Sequence, residues 1–316
     1  MNNYVKTACL SLALAALAGP AASHGRTSGP QACSNTTKAA FAACLNEGLD
    51  DFWIGNGKCQ NESEANERGD CLADNRDALK DFYQECRDQR DARNELCDVL
   101  GQTPYDPVFE TADFVNPDDI GGSVAPNPWL PLIAGRTLVY ESSDETTTVT
   151  ITHETKNIDG VPCRVVTDTV EADGELVEDT IDWLAQDIYG NVWYCGEATA
   201  EYEEGFPVNI DGSFQADVDG ARPGLLMKAA PAVGDTYRQE FDLGNAEDAA
   251  TVIDLHGSAN TPAASCAGDC LVTREVTPLE PDAMEKKFYK QGIGNIMTVD
   301  LVTGNRTELV EIIDSP

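Results

Sequence analysis

Four regimes of hydrophobic patterning follow one another along the 316 residues. Residues 1–23 hold Lys6, a run of small and apolar residues over 8–18, a Gly19-Pro20 break, and Ala21-Ala22-Ser23 before a cleavage point. That is the layout of a secretory signal peptide, because the apolar run is too short to cross a bilayer. From 24 to 102 apolar residues recur at helical spacing. Ala39, Ala40, Phe41, Ala43, Cys44 and Leu45 follow the capping cluster Ser34-Asn35-Thr36, and Leu72, Leu79, Phe82, Tyr83, Leu96, Val99 and Leu100 precede the stop at Gly101. Residues 103–134 are rich in proline and acids and contain Gly121-Gly122, which predicts an extended linker ending in a docking segment. From 135 to 316 the period becomes two, in segments such as RTLVYES, TTTVTITHE and CRVVTDTV, with Asp159-Gly160 and Asp173-Gly174 marking hairpin turns.

The β region repeats itself in order. PLIAGRTLVY (131–140) parallels PAVGDTYRQE (231–240), and TVTITHE (148–154) parallels TVIDLHG (251–257). VPCRVVTDTV (161–170) parallels GDCLVTREVT (268–277), and AQDIYGNVWY (185–194) parallels KQGIGNIMTV (290–299). Four ordered matches predict a duplicated antiparallel β domain, a sandwich or curled half-barrel, with a hairpin region at 205–222 between the copies. The fold class is α+β.

Eleven cysteines become ten once Cys9 leaves with the signal, and an even number in an exported chain reads as disulfides. Six are spaced 11, 15, 12, 15 and 11 residues apart, the same in both directions. An antiparallel helical hairpin would therefore pair Cys33 with Cys97, Cys44 with Cys86, and Cys59 with Cys71. Zinc would call for cysteine pairs two to four residues apart, and none occurs among these six. Counting back from the turns puts Cys163 and Cys195 on strands flanking a third, about 10 Å apart and beyond disulfide reach. The expected pairs are Cys163–Cys270 and Cys195–Cys266, with a small Cys266–Cys270 loop as the competing pattern.

Taken together, NPWLPL followed by Gly-x-Thr, then AQDIYGNVWY, VDGARPG, VGDTYRQEF, CLVTREVTPLEP and KFYKQGIG, resemble an uncharacterised family of secreted bacterial β-rich proteins over residues 126–313. The resemblance implies an exported β domain, carries no activity, and leaves the hairpin as a separate attachment.

The formal charge of −34 argues against nucleic acid or an acidic membrane surface as partner. No Gly-x-Ser-x-Gly, His-Glu-x-x-His or phosphate loop occurs. The metal candidates are few. Asp211, Asp217 and Asp219 lie around Gly212 and Gly220 and could serve calcium. His153 and His256 occupy matching repeat positions. Cleavage after Ser23 would leave His24 as a terminal copper chelator; Ala18 is the alternative cleavage site. These features predict an exported, non-catalytic binding or interaction protein for another protein, a surface component or a small apolar ligand. The alternatives are a secreted hydrolase using acidic residues and a lipid or apolar-ligand carrier.

Overall fold

The computed structural model describes residues 31–315. The signal segment 1–23, with Cys9, and the His24 site lie outside them. Two long helices come first, α1 (Ala32–Gln60) and α2 (Ala65–Leu100). They run antiparallel and are joined by three disulfides, Cys33–Cys97, Cys44–Cys86 and Cys59–Cys71, with Cα atoms 5.7, 5.8 and 5.5 Å apart. Few large apolar side chains are buried between the helices, so the staples take the place of a core.

Fifteen strands follow among the described residues. The first eight are β1 (Arg136–Glu141), β2 (Glu145–Ile158), β3 (Val161–Ala172), β4 (Glu175–Gln186), β5 (Val192–Glu203), β6 (Phe206–Asn209), β7 (Phe214–Gln215) and β8 (Arg222–Met227). The rest are β9 (Thr236–Arg238), β10 (Glu240–Phe241), β11 (Ala249–Asn260), β12 (Ser265–Val276), β13 (Met284–Lys290), β14 (Gly294–Asp300) and β15 (Arg306–Asp314). Asp159-Gly160 and Asp173-Gly174 have positive φ at both positions, the backbone of the tight hairpins that the sequence predicts there.

The sheet order is β10-β8-β5-β4-β3-β2-β1-β15-β14-β13-β12-β11-β9, with β6 and β7 attached to β5. Its two ends, β9 and β10, are separated in the chain only by Gln239. β9 pairs with β11, while β10 pairs with β8, so the sheet curls nearly into a barrel. The α+β description holds. The curl requires close backbone approach at the seam: a Cβ on Gly224 of β8 would lie 1.8 Å from the carbonyl oxygen of Gln239.

Residues 103–134 do not run free. Phe109 and Phe114 are buried on the outer face of β3–β5. Trp129 and Leu132 belong instead to the inner cluster with Ile151, Val166, Leu184, Val192 and Leu271, and close one end of the barrel as a plug. Asn127 is fully buried. Its side-chain oxygen accepts from the N–H groups of Trp129 and Leu130, while its amide donates to the Gly190 carbonyl at 2.7 Å. Gln186 accepts from the Asn127 N–H at 2.8 Å and donates to the Ala125 carbonyl at 2.9 Å. From the opposite wall the Gly292 N–H donates to the Pro128 carbonyl at 2.8 Å. The two look-alike turns, at Gly190 and Gly292, thus hold the same short segment.

The disulfide pattern of the β region differs from the expected one. The bonds are Cys163–Cys195 and Cys266–Cys270. The sheet order separates β3 from β12 by five strands in one direction, so Cys163 and Cys270 lie on different walls. Cys195 occupies a β-bulge, where Trp183 faces Gly196 and Leu184 faces Tyr194, and Ala185 is small enough to be bridged over. The bulge and the curl bring the Cys163 and Cys195 Cα atoms to 6.7 Å instead of about two strand spacings. In β12 the register jumps between Cys270 and Ala267, and that excursion lets Cys266 reach Cys270.

The hairpin docks on the barrel through a buried ion pair. Arg93 of α2 donates to Glu247 from Nε and Nη2, the shortest contact being 2.7 Å, and the two side chains are 4% and 1% exposed. Removing one partner strands a buried charge. Arg93→Ala should therefore lower the unfolding free energy by about 3–5 kcal/mol in urea titration, and the paired Arg93→Met, Glu247→Leu change should recover most of the loss.

Candidate functional site

Inward positions along a strand recur every second residue. Near the plug these positions are apolar: Val166 on β3, Leu184 on β4, Val192 on β5 and Leu271 on β12. Two and four residues further along the same faces the chemistry changes. Asp168 follows Val166, Asp182 precedes Leu184, and Glu275 lies four residues beyond Leu271, with Glu285 and Lys287 on the adjoining β13. The result is a cavity of about 490 Å³ opening into a wider mouth of about 730 Å³. Val149, Leu184 and Leu226 are among the apolar residues that line the inner cavity, and Glu178, Glu197, Glu240 and Asp248 extend the acidic wall toward the mouth. Lys287 is the single cationic side chain among the lining residues.

Lys287 is committed. Its Nζ lies 2.8 Å from Glu275 Oε2 and 3.6 Å from Glu285 Oε2. The other Glu275 oxygen accepts from the Thr273 hydroxyl at 2.8 Å and the Tyr289 hydroxyl at 3.1 Å. Burial alone would raise the Glu275 pKa, but the Lys287 charge and these hydrogen bonds hold it below the ordinary value. The opposite wall has no such partner. Burial pushes Asp168 up to about 7, and the negative charge of Asp182 adds to the rise. Asp168 Oδ1 is buried and accepts no hydrogen bond. Burial raises Asp182 to about 6, against the opposing effect of the Tyr194 hydroxyl, which donates to it. The same hydroxyl reaches Glu197 Oε2 at 3.0 Å, and burial together with Asp182 raises Glu197 to about 8. Glu240 and Asp248 are likewise raised, chiefly by burial.

The metal candidates lie elsewhere. Asp217 pairs with Arg222 at 2.6 Å, and Asp217 and Asp219 both have positive φ in the turn leading to β8. Asp211 is exposed in the preceding turn, its N–H donating to Asn209. His153 and His256 are exposed on β2 and β11, separated by five strands of the sheet. Among the described residues no group of three or more His, Cys, Asp or Glu side chains is placed to hold a metal ion. No sequence motif singles out the lumen carboxylates. The signal was present as acids in phase with the apolar inward positions, in Val166-x-Asp168 and Asp182-x-Leu184.

Carboxylates with raised pKa values keep protons that the unfolded chain has already released. From about pH 4 to 8 the folded state therefore binds more protons, and stability falls as pH rises through that window. Thermal melts at pH 5, 6.5 and 8 should show a declining Tm. Asp168→Asn should match the wild type at pH 5 and melt higher at pH 8; a Tm that rises across the window contradicts the assignment. No family model, no curated protein and no solved structure matches this chain.

Proposed function

We propose that this chain is an exported binding protein that holds a small polar ligand in the lumen of its barrel. The observation carrying this reading is the lumen itself, a cavity of about 490 Å³ with a packed apolar floor and polar upper walls. Its size falls within the range of small-molecule sites. Export is supported by five disulfides, which persist in oxidising compartments, and no helix among the described residues is long and apolar enough to cross a membrane. The ordered sequence echoes fit the strand order, in which β5 to β1 and β14 to β9 succeed one another in the same sense around the ring. Both features suit a duplicated scaffold of the secreted family that residues 126–313 resemble. A lipid cargo is disfavoured, because Asp168, Asp182, Glu240 and Asp248 would face it.

A second reading has one observation in its favour. Asp182 and Glu197 share the Tyr194 hydroxyl, with pKa values of about 6 and about 8, so an ionised and a protonated carboxyl coexist near pH 7. That is the equipment of a hydrolase acting on glycosides. Hydrolysis of a polysaccharide panel by the wild type and not by Glu197→Gln would replace the binding reading with this one.

Native mass spectrometry of the protein purified from its own envelope should show a small-molecule adduct at one per chain. Thr298→Trp, which fills the lumen from β14, should weaken retention by about tenfold or more while leaving the circular dichroism unchanged. An adduct indifferent to that substitution would locate the ligand elsewhere.

A further inference from the structure

The two walls of the lumen share one register and differ in charge: Lys287 and Glu285 on one stand where Asp182 and Thr180 stand on the other. On β12 and β13, Glu275 lies opposite Glu285 and Thr273 opposite Lys287, so the Lys287 ammonium reaches Glu275 along the diagonal. On β3 and β4, Asp168 lies opposite Thr180 and Val166 opposite Asp182. Asp168 thus stands where Glu275 stands, and Asp182 where Lys287 stands. The diagonal that is an ion pair on one wall is two carboxylates on the other.

Two like charges at a cross-strand site destabilise a sheet unless something between them is positive. No cation pairs with either of them there; Lys287 pairs with Glu275 and Glu285, and its charge offsets only part of the rise at Asp168. Asp168 Oδ1 is buried with no donor. Deeper in the same inner cluster, Tyr237 is only 7% exposed and its hydroxyl has no partner either.

We propose that the lumen takes an organic amine, whose ammonium group docks between Asp168 and Asp182 as the Lys287 ammonium docks on Glu275. The inference rests on the lumen being the binding site. The cation is an amine and not a metal ion for a geometric reason. Calcium needs six to eight oxygens gathered about one point, whereas these carboxylates are distributed along a wall and no group of three converges. Val149, Leu184 and Leu226 give an alkyl stem an apolar surface beside the charged groups, as a lysine stem lies on apolar surface with its head in a polar site. Glu197, Glu240 and Asp248 continue toward the mouth and suit a second ammonium further along the ligand.

Titration calorimetry and thermal melts with 1,5-diaminopentane, spermidine, lysine, calcium chloride and the neutral 1-pentanol test this at pH 8. The amines should bind and raise Tm, while pentanol and calcium should not. Asp168→Asn and Asp182→Asn should each weaken amine binding by about tenfold or more. Asp182→Lys supplies the ammonium internally, so it should raise Tm in the absence of ligand and abolish amine binding. Amine binding untouched by all three substitutions overturns the proposal. So does binding of calcium without amines. A neutral or anionic adduct that Thr298→Trp displaces would overturn the amine assignment and leave the lumen reading standing. An adduct that Thr298→Trp does not displace would remove the lumen reading itself.

Discussion

A sheet curled to this circumference cannot be filled by its own inward side chains. With β9 and β10 counted as one interrupted strand, the ring holds twelve, and a barrel of eight is already about the widest that side chains alone can pack. Everything else in the β domain answers that geometric excess. One half is filled by an imported segment, Asn127 to Leu132, whose Trp129 and Leu132 join the inward apolar residues of the strands. The backbone polar groups of that segment then need partners within the interior. Gln186 and the Asn127 side-chain oxygen accept from its N–H groups, and the carbonyls of Gly190 and Met227 in turn hold the Asn127 amide. The other half is left as solvent-reaching volume, and its walls are free to carry charge.

That freedom has an electrostatic consequence. Buried carboxylates lacking a cation are costly in the ionised form, and the chain offers one lysine to a wall system with ten acids. Where Lys287 is present, Glu275 is held ionised by it. Where it is absent, Asp168 and Glu197 are pushed toward neutrality. The scaffold tolerates this because its integrity is secured elsewhere, by disulfides in the hairpin, by Cys163–Cys195 across β3–β5 and by the Arg93–Glu247 pair.

The parts of the fold legible in the sequence were those encoded in spacing. The palindromic cysteine series gave the hairpin and its three pairs, since a helix converts residue intervals directly into axial distance. Asp-Gly dipeptides gave the hairpin turns, because few other pairs adopt positive φ twice. Ring closure left no local trace: it depends on Gln239 splitting one strand between two neighbours, and on Gly224 admitting its carbonyl. The disulfides of the β region failed for a related reason. Counting strand spacings assumes a flat, regular sheet, and a single bulged residue at Cys195 breaks that assumption. The lumen acids were hidden by abundance, since 55 Asp and Glu residues make any one of them unremarked until strand phase sorts inward from outward.

The clasp on the plug fixes an order of events for a chain that emerges N-terminus first. Pro128 waits for Gly292, and β1 waits for β15, its partner from Arg136↔Asp314 onward. The floor of the cup cannot be sealed until nearly the last strand is synthesised. Until then Trp129 and Leu132 lack the part of their enclosure that Leu271 and Tyr289 supply. A truncation anywhere before Arg306 therefore leaves β1 with an unpaired edge, the kind of surface proteases and sticky neighbours find first. The molecule is committed to being made whole.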